Sequence, residues 1–214
     1  MAIEPIVLQD VKLYGADGKP LREYSKVTVG GEAVKDTAGD YVLDFQAGWV
    51  RRHRLEGTRM LDYPLAWAII ERLSDDKNPA VERIISDMQR KWLMLGTRIR
   101  YDSNRIIHGY GFESPIELSC AFPIGDHWDH WLYDIKSKRE WQKVFQALWM
   151  PKEWEKAVDV FNSIAGVPAY ILTADDRRSS PKRAAALCVD ESRFYLGCIG
   201  DIDAPSRSLS VTVE

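Results

Sequence analysis

Four side chains that bind metals or transfer protons lie within one run of five residues. They are Asp126, His127, Asp129 and His130. In a helical turn His127 and His130 would lie on one face, where two imidazoles can bind one metal ion. Asp126, Asp129 or Asp134 could then supply a carboxylate ligand or orient a ring, with Asp126 as the candidate metal ligand. In a loop, an aspartate and a histidine this close could instead form a general acid/base pair, with Asp129 as the candidate catalytic residue. The spacing therefore predicts a divalent-metal site at 126–130, with hydrolysis as the simplest reaction.

A third imidazole, His108, is the candidate that would complete this site. A predicted strand at 105–112 carries His108 on its apolar face, beside Tyr110, and the following strand leads directly into 123–130. The competing interpretation is structural, because a buried imidazole is commonly a core residue with hydrogen-bonded nitrogens. On that interpretation the other two histidines also hydrogen-bond, beside packed tryptophans, and Asp126 caps a turn. The spacing matches no specific metal motif, so the structural interpretation is favoured and the metal site is the alternative.

The same part of the chain is rich in tryptophan. Five of the eight tryptophans lie between Pro123 and Trp154: Trp128, Trp131, Trp141, Trp149 and Trp154. The last three fit helical stripes with aliphatic neighbours, which indicates core packing. Trp128 and Trp131 lie outside such a stripe and are predicted to be exposed ligand-binding residues. The pattern therefore predicts a working surface around 123–134.

The densest basic patch runs from Trp49 to Arg59. Guanidinium groups beside an aromatic ring suit phosphate or single-stranded nucleic acid, which makes Arg52 and Arg54 candidate ligand-binding residues. The segment is predicted to be a strand, in which Arg52 and Arg54 point to one face and Arg51 and His53 to the other. Because only half of the charge could meet one ligand, a solvated edge strand protected by its charges is the favoured interpretation.

Period-two and helical patterns alternate along the rest of the chain. Strands are predicted at 6–14, 22–29, 41–46, 97–101, 105–112, 116–122, 169–173, 184–189, 193–199 and 208–213, and helices at 62–74, 79–95, 138–149 and 151–165. This order predicts an α+β fold with largely antiparallel sheets covered by two amphipathic helix pairs. Without a linker-like segment, 1–214 is predicted to be one compact domain. A weak internal duplication would relate halves of about 56–122 and 123–214.

Composition narrows the functional classes. The 29 basic and 32 acidic residues give a formal net charge of −3, which argues against a global field attracting nucleic acid or an anionic membrane. Met1 begins no signal-peptide pattern, and no apolar run of about 18 residues occurs, which predicts a soluble cytoplasmic protein. Walker, GxGxxG, GxSxG and HExxH motifs are absent from the sequence.

The three cysteines, an odd number without CxxC spacing, argue against a disulfide framework or a cysteine-built zinc site. In the predicted hairpin 184–199, Val189 opposes Arg193 and Cys188 opposes Phe194. That register keeps Cys188 away from Cys198, so no disulfide is expected between them.

Three functional hypotheses follow from these observations. The leading hypothesis is a binding or protein-interaction protein that associates with itself or with a protein partner through 123–134. The alternative is a metal-dependent, hydrolase-like enzyme that uses the cluster at 126–130 and a divalent ion. Nucleic-acid binding through Arg51, Arg52 and Arg54 is a third and less favoured hypothesis.

Overall fold

The computed structural model describes residues 4–14, 18–74, 79–88, 92–123, 129–149, 154–164, 166–173, 182–197 and 205–214. Within them, the strands are β1 (Ile6–Tyr14), β2 (Pro20–Val29), β3 (Arg59–Met60), β4 (Leu93–Arg100), β5 (Arg105–His108), β6 (Ile116–Ser119), β7 (Asp129–Trp131), β8 (Ala169–Leu172), β9 (Lys182–Val189), β10 (Phe194–Gly197) and β11 (Ser210–Val213). The helices are α1 (Gln46–Leu55), α2 (Tyr63–Leu73), α3 (Pro79–Met88), α4 (Leu132–Ile135), α5 (Arg139–Trp149) and α6 (Trp154–Ile164). The predicted α+β class is confirmed.

Seven strands form the larger sheet, in the order β6-β5-β4-β9-β10-β8-β7. Every neighbouring pair is antiparallel except β8 and β10, which are parallel. One face carries Ile99, Leu187 and Leu196, which join a buried apolar core with side chains of α2, α5 and α6. Because strand residues alternate between faces, the residues between them point away from these helices. The larger sheet therefore has one face covered by α2, α5 and α6, and an opposite face on which α1 packs through Trp49 and Val50 against Met94 and Ala184.

The smaller sheet has the order β1-β2-β11-β3. β1 and β2 pair antiparallel, which confirms the predicted hairpin of 6–14 and 22–29. β11 lies between β2 and β3, so that Val211 opposes Val29 on one side and Arg59 on the other. A strand from the far end of the described chain thus completes a sheet built from early residues.

Helix α2 shows why the local sequence signals succeed. Its N-cap, Asp62, accepts a hydrogen bond from the Leu65 N–H at 3.0 Å, and Pro64 lies in the first turn. Leu65, Ile69 and Ile70 are buried on one stripe. The predicted helix at 62–74 is confirmed. Helix α5 likewise matches the prediction at 138–149, and the described part of 151–165 is α6.

The predicted strand around 49–54 is wrong, because these residues belong to helix α1. Gln46, Trp49, Val50 and His53 are its buried residues, at the i, i+3, i+4 and i+7 spacing of a helix face. Two of these four side chains are polar, so a hydrophobicity pattern does not reveal the buried stripe. Arg51 and Arg54 consequently share one helix face instead of pointing to opposite sides of a strand.

The predicted helix at 79–95 is wrong in its last part. Residues 79–88 are helical, but Leu93–Arg100 is strand β4, which passes through Gly96. The Gly96 N–H donates to the Leu61 carbonyl at 2.7 Å, and a β-carbon at this position would lie 3.3 Å from Met60 Cβ. Gly96 thus permits close packing inside the fold and does not end a helix.

Two smaller differences concern strands. The predicted strand at 41–46 is reduced to isolated bridges at Tyr41 and Asp44. In the hairpin of β9 and β10, Phe194 opposes Val189 and Tyr195 opposes Cys188, one residue from the predicted register. Cys198 lies outside the described residues, and the internal duplication stays a prediction.

None of the helices in the described part of the chain has the length and apolar character needed to cross a membrane.

Candidate functional site

Asp126, His127 and Trp128 of the predicted metal and aromatic sites lie outside the described residues. Asp129 and His130 are consecutive residues of β7, so their side chains point to opposite faces of the sheet. The Asp129 carboxylate accepts a hydrogen bond from Arg193 Nη1 at 2.8 Å, and the His130 ring packs against Trp141 at 4.7 Å between centroids. The structure therefore does not bring Asp129 and His130 together as an acid/base pair.

His108 is fully buried and uses both ring nitrogens. Nε2 donates to the Ala147 carbonyl at 2.8 Å, because a carbonyl oxygen can only accept. Thr97 Oγ1, which accepts the Tyr63 N–H, lies 3.0 Å from Nδ1 and donates to it. Burial lowers the pKa of His108, so the ring is neutral. Metal binding by His108 would require the loss of one of these hydrogen bonds.

Among the described residues, no group of three His, Cys, Asp or Glu side chains could hold a metal ion. The metal site at 126–130 stays a prediction, because Asp126 and His127 lie outside the residues that the structure describes.

His53, which was predicted to lie on a solvated strand, is instead the centre of a buried polar cluster. Its Nδ1 lies 2.8 Å from Thr58 Oγ1 and its Nε2 lies 3.1 Å from Ser208 Oγ, while the ring stacks on Trp49 at 5.5 Å. A serine beside an imidazole suggests a nucleophile and its base. However, Ser208 is fully buried, and a hydroxyl stands where a catalytic triad has its carboxylate. The cluster therefore has a structural role: it holds α1 against the rest of the fold.

The His53 cluster makes stability depend on pH. Burial, aided by the nearby Arg52, lowers the pKa of His53 from 6.5 to about 4. Between these values the unfolded chain binds a proton that the folded chain does not, so stability is full above pH 6.5 and falls as the pH decreases towards 4. The expected loss is up to about 3 kcal/mol. Urea unfolding from pH 7 to 4 checks this, with His53→Gln expected to flatten the slope. An unchanged slope in His53→Gln would contradict it.

The two predicted basic ligand residues lie on α1. Arg52 stacks over Trp49 at 5.6 Å and lines a surface cavity of about 320 Å³. The cavity also contains Asp44, Gly48, Arg51, Leu55 and Glu56. Arg54 donates a hydrogen bond to the Gly111 carbonyl. Arg52 and Arg54 therefore contact different surroundings, although they are two residues apart.

Four aromatic side chains form a row across the opposite face of the larger sheet, which we call the aromatic row. It consists of Trp92, Tyr195, Tyr170 and Trp131. The ring centroids of Trp92 and Tyr195 are 6.2 Å apart, and those of Tyr195 and Tyr170 are 6.3 Å apart. Trp131 is directly opposite Tyr170 in the β7–β8 register. Trp131 is 36% exposed, as predicted, and the other three are partly exposed.

A set of charged groups surrounds the aromatic row. The Arg193 guanidinium lies over the Tyr170 ring at 4.5 Å while it donates to Asp129. Asp190 accepts the N–H groups of Ser192 and Arg193 at 2.8 and 2.7 Å. Burial and the Asp190 charge raise the pKa of Tyr195, so its hydroxyl stays protonated at neutral pH. These interactions fix the rings and the guanidinium in place.

Comparison with protein-family models, with curated proteins and with solved structures gave no match. Any function must therefore be inferred from the residues of this chain and their geometry.

Only Trp131 of the aromatic row was singled out from the sequence. Tyr170 and Tyr195 belong to strands that were predicted correctly, but the order in which these strands pair is not a local signal. Trp92 lies within the range predicted as the helix 79–95. Its ring is so close to Gly197 that a β-carbon there would be 2.8 Å away. That close approach is a reason for glycine at position 197.

Proposed function

We propose that this protein is a binding protein and that the aromatic row contacts a partner protein. The main support is that four rings lie together on one partly exposed face of the larger sheet. They come from β7, β8, β10 and the residue before β4. The row includes Trp131, and so it extends the working surface expected around 123–134. The inclusion of Trp128 in this working surface stays a prediction.

The residue types support a protein partner. Tryptophan, tyrosine and arginine dominate the energetic centres of protein interfaces, where each can contribute more than 1 kcal/mol. Rings that are already held by their neighbours lose little conformational entropy on binding. In the aromatic row, Arg193 and its contacts with Tyr170 and Asp129 provide this pre-organisation. An incoming side chain therefore meets a fixed surface.

Local charge indicates the chemistry of the partner. Among the described residues next to Tyr170 and Tyr195, one cation, Arg193, lies beside the carboxylates of Asp129 and Asp190 and the exposed Glu191, which gives this middle part of the row a local net charge of −2. A phosphate backbone would be repelled by this surface. Lysine or arginine side chains beside apolar ones would be attracted, because cations also bind ring faces. We infer a partner segment that combines basic and apolar residues.

The test is selection of random 12-residue peptides on the wild-type protein, followed by affinity measurement on synthetic copies. Selected peptides are expected to be basic and apolar, and Trp131→Ala/Tyr170→Ala is expected to weaken them at least about tenfold, the loss of one or two interface anchors. Leu21→Ala is the matched control, because it truncates a comparably exposed apolar residue on β2, outside the row. Fluorescence anisotropy gives the dissociation constants.

Two outcomes would count against this proposal. One is equal affinity for wild type and Trp131→Ala/Tyr170→Ala, and the other is an acidic peptide consensus. Sedimentation velocity of the wild type tests whether the partner is a second copy of the same chain. Self-association that the double variant abolishes would identify a second copy of the chain as the partner.

A further inference from the structure

Four arginines surround the loop that follows β5, at residues 109–114. We infer that they form a binding site for an oligophosphate, a ligand with several linked phosphate groups. The arginine cluster consists of Arg22 on β2, Arg54 on α1, Arg59 on β3 and Arg98 on β4. The arginine cluster shares no residue with the aromatic row, so this inference is independent of the proposed function.

Hydrogen bonds hold the arginine cluster together around the loop. Arg54 Nη2 donates to the Gly111 carbonyl and Arg22 Nη2 to the Ser114 carbonyl, three residues further along. Arg22 and Arg59 both donate to the Tyr24 hydroxyl oxygen, at 3.3 and 3.1 Å. Two guanidinium groups that share one oxygen must lie close together. The cations thus occupy a compact region, which suits a short oligophosphate better than a long chain.

Carboxylates do not balance this charge. Asp62 accepts from Arg59 Nη2 at 2.9 Å. Within the described part of the chain, Arg22, Arg54 and Arg98 form no salt bridge with a carboxylate, and neither does the exposed Glu113 of the loop with any arginine. Four cations against Asp62 and Glu113 leave a local charge of +2 in a protein whose net charge is −3. An anionic ligand would relieve this repulsion.

The arginine geometry favours phosphate as the anion. A guanidinium held by a carbonyl on one nitrogen keeps further N–H groups directed outward, and this fork matches phosphate oxygens. Arg98 is stacked on the Tyr110 ring with its central carbon 3.3 Å from the centroid, which orients its plane. Arg59 is 8% exposed and donates to the Tyr24 hydroxyl and to Asp62, so it adds positive charge from below the surface of the cluster.

Arg51 lies between the arginine cluster and the cavity that Arg52 also lines. Arg51 is exposed and lies three residues before Arg54, on the same helix face.

Titration calorimetry with sodium tripolyphosphate tests the inference. Wild type is expected to bind one tripolyphosphate with a dissociation constant below about 1 mM, more weakly as salt increases. Arg22→Gln/Arg54→Gln is expected to weaken binding at least about tenfold. Arg105→Gln/Arg139→Gln removes the same charge from exposed positions outside the cluster and is expected to change the affinity less than about twofold. Competition with (dT)20 distinguishes the source of the phosphate.

Several results would overturn the inference. They are no binding by wild type, equal weakening in the two double variants, and binding of (dT)20 without binding of tripolyphosphate. If the glutamine variant does not fold, Arg22→Lys/Arg54→Lys replaces it, since it retains the charge and loses the planar fork. Its affinity is expected to lie at least about threefold below wild type. Wild-type affinity in this variant would contradict recognition by guanidinium forks.

Discussion

Replacing Asp62 with alanine is expected to lower the free energy of unfolding by about 3–5 kcal/mol, as for removal of one partner of a buried ion pair. Asp62 is 1% exposed and has two roles. It caps α2 through the Leu65 N–H, and it accepts from Arg59 Nη2 at 2.9 Å. The substitution leaves a buried guanidinium without its anion and removes a cap that contributes about 1 kcal/mol. Urea unfolding at pH 7 measures the change.

Two control variants separate the roles of Asp62. Asp62→Asn keeps a capping oxygen and removes the charge, so it is expected to retain the cap contribution only. Glu23→Ala breaks the exposed Lys12–Glu23 pair of 3.3 Å and is expected to cost less than about 1 kcal/mol. A loss in Asp62→Ala no larger than that in Glu23→Ala would show that the buried pair does not stabilise the fold.

Gly111→Ala is expected to lower the free energy of unfolding by about 2–5 kcal/mol. The backbone of Gly111 has φ +81°, a region that costs an L-residue roughly 1–2 kcal/mol. A β-carbon there would lie 2.3 Å from Val50 Cγ1, and such overpacking costs typically 1–3 kcal/mol more. The expected effect is the sum, measured by thermal and urea unfolding.

Two further variants assign the parts of the Gly111 effect. Gly39 has φ +89°, and no atom lies within 4 Å of the position that a β-carbon would take there, so Gly39→Ala reports the backbone cost alone. Val50→Ala removes the methyl groups that cause the clash. The double variant Gly111→Ala/Val50→Ala should therefore be less destabilised than the sum of its single changes. Equal losses in Gly111→Ala and Gly39→Ala would mean that the loop moves away from α1 freely.

Much of the fold was predictable because several elements carry their own local signals. Helix α2 begins at a capping aspartate followed by proline, and its apolar residues recur at helical spacing. Strands β1 and β2 flank a cluster of turn-forming residues. These signals depend on neighbours in sequence, and the predicted helix and hairpin are confirmed for that reason.

Helix α1 could not be predicted because its buried side is held by distant partners. Gln46 donates to the Leu95 and Thr97 carbonyls at 2.9 and 3.1 Å, and Trp49 Nε1 donates to the Ser206 carbonyl at 2.7 Å. Polar residues are normally assigned to the surface, so Gln46 and His53 conceal the helical stripe. Tertiary hydrogen bonding here outweighs the local pattern.

The candidate sites depend even more on long-range topology. The aromatic row combines residues near positions 92, 131, 170 and 195, which meet only because β8 and β10 pair in parallel beside β7. The arginine cluster similarly needs β2, β3, β4 and α1 around one loop. The sequence indicated Trp131 and Arg54 individually, but their neighbours could be identified only from strand order.

The position of β11 has a consequence for synthesis of the protein on the ribosome. β2 is complete at Val29, whereas its partner β11 begins at Ser210, so this edge of β2 lacks its native partner while roughly 180 residues are added. Elongation at about 5–20 residues per second makes that interval on the order of 10–40 s. An unpaired strand edge can join strands of other chains. Nascent chains are therefore expected to need chaperones more before residue 210 emerges than after it, a difference that arrested nascent chains of increasing length would reveal.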